Sequence, residues 1–127
     1  MATISSSWTE NQTLHSSATV AAGVTATDDI DLAASGYVAA HVMVEIAFGS
    51  TPDDDVVVNV FGSVDSGTQD ATLPIYSLTI QAATSTTKRA TFTVENVPYI
   101  AVAVTNNDSA DNVTYEGLYA GLKYTSA

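Results

Sequence analysis

Between Tyr37 and Phe48 the chain alternates without a break. Val38, Ala40, Val42, Val44, Ile46 and Phe48 fall on one side; Tyr37, Ala39, His41, Met43, Glu45 and Ala47 fall on the other. Its alanines make a helix the competing reading, but a helix would scatter those six apolar residues around its axis. A repeat of two lines them up on one face of a pleated strand. A twelve-residue strand apolar on one side must cover that side with a second sheet, which sets the class of fold for the whole chain.

The same repeat recurs downstream. Ala18–Ala21, then Val24–Thr27 and Ile30–Leu32, predict two short strands separated by a turn at Ala22-Gly23. Val56–Ser63, Leu73–Gln81, Lys88–Val94, Tyr99–Thr105 and Val113–Tyr124 predict five more. The turn signals between them are Gly49-Ser-Thr-Pro52, Asp65-Ser-Gly67, Asn96-Val-Pro98 and the polar stretch Asn106–Asn112. Seven or eight strands spaced about ten residues apart predict an all-β antiparallel sandwich. A jelly-roll order is preferred to an immunoglobulin-like one, because the cysteines and strand-buried Trp of the latter are missing. Residues 1–17 read as an N-terminal arm or frayed first strand, and residues 18–127 as a single sandwich domain.

Composition agrees. Thr (18 residues) and Val (15) are β-branched and favour strands, Ser adds 13, and only 13% of the 127-residue chain is charged. Such a chain is neither a charge-rich disordered tail nor a coiled coil. Three Lys+Arg against 14 Asp+Glu give a net charge of −11, which argues against nucleic acid or an anionic membrane as partner. Without cysteine there is no disulfide, thiolate metal site or Cys nucleophile. The first eight residues lack the charged and apolar regions of a signal peptide, and no apolar run reaches the length of a membrane-spanning helix.

Catalysis finds little to work with. The imidazoles are His15 and His41, and His41 lies within the long strand on the side opposite the valines. No Gly-x-Ser-x-Gly elbow, Gly-rich phosphate loop or His-Glu-x-x-His is present, and Glu10, Glu45, Glu95 and Glu116 are scattered. The chain is therefore read as non-enzymatic, with no catalytic residue and no cofactor. Asp53-Asp54-Asp55 concentrates hard oxygen ligands and is a weak calcium candidate, although a solvated turn explains it better. Asp28-Asp29-x-Asp31 is a second acidic group of lower weight. Sequons at Asn11, Asn107 and Asn112 arise readily in a chain this rich in Thr and Ser. Lys88-Arg89 reads as a partner for acidic surface or a guard on its strand.

Rings are the remaining recognition chemistry. Trp8, Tyr37, Tyr99, Tyr115 and Tyr119 could stack on sugars, but a protein contact is the commoner use of a strand tyrosine beside glycine. Tyr115 and Tyr119 alternate with Gly117 opposite Leu118 and Leu122, so both are expected to face outward. With Trp8 they are the expected interface residues.

Longer stretches carry a resemblance. Ser17-Ala-Thr-Val-Ala-Ala-Gly-Val-Thr-Ala-Thr-Asp-Asp-Ile-Asp-Leu32 leads into Gly36-Tyr37-Val-Ala39. Val58-Asn-Val-Phe-Gly62-Ser63 follows in mid-chain, then Phe92 through Val-Pro98-Tyr-Ile-Ala-Val-Ala-Val104. Over residues 17–124 this resembles small β-sandwich virion proteins of tailed bacteriophages, of the capsid decoration or cement type. The resemblance implies a structural protein, made in a host cytoplasm and carried in the virion. Its implied partners are the major capsid protein, neighbouring virion proteins and further copies of itself, with a trimer favoured. No catalytic residue is carried over. A receptor- or glycan-binding module of a fibre or cell-surface appendage is the alternative. A donor-strand adhesin or pilin is a third, weaker reading.

Overall fold

The computed structural model describes residues 5–9, 12–15, 17–33, 36–63 and 73–126. The sequon at Asn11 and the loop around 65–70 lie outside the described residues. Ten strands occur among those described: β1 (Ser5–Trp8), β2 (Gln12–His15), β3 (Ala18–Val20), β4 (Thr25–Asp31), β5 (Tyr37–Phe48), β6 (Val56–Ser63), β7 (Tyr76–Ile80), β8 (Thr87–Glu95), β9 (Tyr99–Asn106) and β10 (Val113–Ser126). They form two antiparallel sheets. Sheet A runs β1-β10-β5-β8, with β2 and β3 also paired to β10; sheet B runs β4-β9-β6-β7.

The pairing is nested. Ser5 faces Ser126, Thr25 faces Thr105, Ala39 faces Glu95 and Val56 faces Ile80. The chain is thus one long hairpin rolled into two layers. Taken as a single interrupted strand, β1–β3 complete an eight-stranded jelly roll. Within residues 1–17, β1 and β2 pair with β10 of the same chain. They cover the second edge of β10.

Alternation places the core. From β5, Val42, Val44 and Ile46 meet Val56, Val58 and Val60 of β6 and Ile100, Val102 and Val104 of β9, all without solvent exposure. Each such valine contributes about 1.5–3 kcal/mol by leaving water. On β9 the outward residues Tyr99, Ala101 and Ala103 are buried as well, so most of this central strand is covered on both sides.

Two departures from simple alternation matter for function. On β10 the register with β5 slips between Tyr115 and Gly117, so that Glu116 is an extra residue. The bulge reverses the parity of everything before it, and Tyr115 joins Leu118, Ala120 and Leu122 on the inner face. On β2 a second slip between His15 and Thr13 turns His15 inward while Thr13 faces out beside Tyr119.

Candidate functional site

The outer face of sheet A is built in cross-strand rows. Trp8, Lys123, Ala39 and Glu95 lie side by side; so do Gly121, His41 and Thr93; then Thr13, Tyr119, Met43 and Thr91; then Gly117, Glu45 and Arg89; then Thr114, Ala47 and Thr87. Glycine, alanine and threonine fill about half of these positions, and longer side chains, among them His41, Met43 and Tyr119, stand between them. Within the rows, Lys123 and Arg89 balance Glu95 and Glu45 in a chain whose net charge is −11. Arg89 Nε donates to Glu45 Oε2 at 2.5 Å, and His41 Nδ1 lies 2.7 Å from Thr93 Oγ1.

Two of the three expected interface rings lie here. Trp8 is 47% exposed, with the Lys123 ammonium 5.8 Å from its ring centroid. Tyr119 is half-buried because its ring lies across Gly117, where a Cβ would stand only 2.5 Å from Cζ. Aromatic cover of a strand glycine is a recognised way to hold a sheet together.

Tyr115 is the correction. It has no exposure at all and lies in the core between the sheets, because the Glu116 bulge reverses its facing. Its ring stacks on His15 with centroids 4.1 Å apart and planes 12° from parallel. His15 Nδ1 is 3.0 Å from Asp28 Oδ2 on β4, so a side chain of sheet A meets one of sheet B. Burial, reinforced by the negative charge of Asp28, pushes the Tyr115 phenol well above its ordinary range. His15 Nε2, Asp28 Oδ2 and Tyr115 Oη are buried without a hydrogen-bond partner of good geometry. His15 and Asp28 are both conspicuous in the sequence, but two bulges and a change of sheet separate the pattern from their meeting.

At one end of the sandwich the acidic loops organise themselves. Asp108 accepts hydrogen bonds from the backbone N–H groups of Asp111, Asp53 and Ala110 at 2.8, 2.8 and 2.9 Å. Those three donors hold its carboxyl well below the usual carboxylate range, against a smaller opposing effect of burial. Buried Asn106 donates to the carbonyls of Val20 and Asp111 and accepts from the Asp108 N–H. Of the calcium candidates, Asp53 accepts from the Ser109 hydroxyl, Asp54 from the Asp55 N–H, and Asp55 from the Ala82 N–H. Their carboxylates serve different partners instead of converging. Among the described residues no three His, Asp or Glu side chains are grouped to hold a metal ion.

The strand order defines an all-β jelly-roll sandwich. No family model matches the sequence, and no curated protein sequence matches it. Solved structures match it in shape. A CBM4 carbohydrate-binding module superposes with a TM-score of 0.57 at 11% identity, over 92% of this chain and 77% of its own. A chain of the T13 IBDV viral particle gives 0.55 at 14% identity, over 94% of this chain and 31% of its own. Latent PorU from Porphyromonas gingivalis gives 0.52 at 11% identity, over 84% of this chain and 10% of its own. At these identities the likeness is one of fold, and it fits a structural or a binding sandwich module equally.

Proposed function

We propose that this chain is a non-enzymatic structural protein of a tailed-phage virion, decorating or cementing the capsid through the outer face of β10, β5 and β8. The observation that carries the reading is the charge balance of that face. A protein of net charge −11 repels acidic neighbours over most of its surface. Here Lys123 and Arg89 offset Glu95 and Glu45, and the rows between, Gly121, His41 and Thr93 with Thr13, Tyr119, Met43 and Thr91, carry no carboxylate, so an acidic neighbour is not repelled from them. Trp8 at the margin supplies an aromatic anchor of the kind that concentrates binding energy. The resemblance over residues 17–124 supplies the virion context. The partners are the major capsid protein, adjacent virion proteins and other copies of this chain, a trimer being favoured, and no cofactor is required.

Half-exposed Trp8 also favours the second reading, a receptor- or glycan-binding module, because a ring held over a flat sheet can stack on a sugar.

Met43 sits at the centre of the face, and Met43→Glu places an unpaired charge there. The variant should keep its thermal transition yet lose at least about tenfold in co-sedimentation with capsids that lack the protein. Unchanged occupancy overturns the proposal. Retained occupancy of Met43→Glu together with saturable binding of a polysaccharide would move the assignment to the second reading.

A further inference from the structure

Two of the chain's three cations, Lys88 and Arg89, adjoin on β8, the strand that ends sheet A. β7 ends sheet B on the same side of the sandwich. Between these two edges lies a cleft of about 330 Å³, lined by Thr79, Ile80, Gln81, Lys88, Arg89 and Ala90. The opposite side ends sheet B in β4, which carries Asp28, Asp29 and Asp31 within seven residues. Asp28 turns inward to His15, whereas Asp29 and Asp31 are exposed.

Edge strands present backbone N–H and C=O groups to any strand that approaches. Like edges are kept apart here: β4 against β4 sets aspartates opposite aspartates, and β8 against β8 sets cations opposite cations. Unlike edges attract. We infer that the acidic β4 edge of one copy docks on the β7–β8 edge of the next. Because the two surfaces differ, the contact is heterologous and propagates until it closes into a ring. The inference rests on the reading of this chain as an assembly protein and adds which surfaces meet. Arg89 is tied to Glu45, which makes Lys88 the cation to alter.

Sedimentation velocity of the purified chain at micromolar concentration tests it. The wild type should form a closed oligomer. Lys88→Glu and Asp29→Lys should each weaken self-association by at least about tenfold with thermal transitions unchanged. The doubly reversed chain, Lys88→Glu with Asp29→Lys, should regain the oligomer, which a merely damaged fold would not. A wild type that stays monomeric, a Lys88→Glu variant that assembles normally, or a double variant that stays apart would each overturn the contact. Capsid co-sedimentation separates the two proposals: a monomer that still binds particles removes this contact and leaves the decorating role standing.

Discussion

The ring of Tyr115 lies on the ring of His15, 4.1 Å away and nearly parallel, where the contact of His15 with Asp28 joins sheet A to sheet B. Tyr115 is wholly buried in this stack, while its phenol oxygen finds no partner of good geometry.

Packing and hydroxyl can therefore be separated. Tyr115→Phe keeps the ring and removes a buried oxygen without a partner, so its stability should stay within about 1 kcal/mol of wild type. Tyr115→Ala leaves a cavity and should cost about 3–5 kcal/mol. Urea unfolding of both variants checks the pair; a Phe variant as damaged as the Ala variant would mean that the hydroxyl is held after all.

Asp108 makes a prediction about pH. Its three backbone donors depress the folded-state pKa below the ordinary value of 3.8, so between those two values the unfolded chain binds more protons than the folded one. Its stabilisation is complete above the ordinary value and is lost as pH falls through that window. Wild-type melting temperature should drop between about pH 5 and pH 2. Asp108→Asn should melt lower at neutral pH, with a gap to wild type that narrows in acid. Parallel curves for the two proteins would remove Asp108 from the account.

Gly117 and Tyr119 should be coupled. A Cβ at Gly117 meets the Tyr119 ring at 2.5 Å, so Gly117→Ala displaces that ring and should cost about 1–3 kcal/mol. With Tyr119→Ala in the same chain the obstacle is gone. There Gly117→Ala should stabilise by about 0.5–1 kcal/mol through the smaller backbone entropy of alanine. A double-mutant cycle with additive values would show that the ring does not rest on the glycine.

The strands were legible because burial on one side of a sheet imposes a repeat of two. Tyr37–Phe48 and Val56–Ser63 form strands with the ends that alternation predicts. The predicted strand from Leu73 is shorter, Tyr76–Ile80, since Leu73 is exposed and Pro74 has no N–H to give the ladder. The two short strands predicted on either side of Ala22-Gly23 are β3 and β4, and outward Asp29 keeps the alternation running through the second.

The interior polar cluster was not legible. Tyr115 belongs to the inner face only after Glu116 is counted as a bulge; Gly117 invites a bend or bulge there, but a strand glycine does not say which residue is extra or that Tyr115 changes face. Likewise the three aspartates at Asp53 to Asp55 draw attention in the sequence, while the hub of that end is Asp108, whose partners arrive from two loops. Tyr119 could be placed outward because β10 keeps its register with β5 from Gly117 to Lys123.

The nesting of the chain has a consequence for biosynthesis. Strand β10 lies near the centre of sheet A, between β1–β3 on one side and β5 on the other, yet it is the last of the ten strands to leave the ribosome. Until then β1, β2 and β3 have no neighbour to pair with, and β5 has only β8 paired beside it. Sheet A must therefore wait for β10 before it can be completed, and folding should be slow for a domain of this size, because its ladders join residues far apart in the chain. A nascent fragment that stops short of Val113 would hold sheet B together and leave Trp8, Leu14 and Val20 for a chaperone.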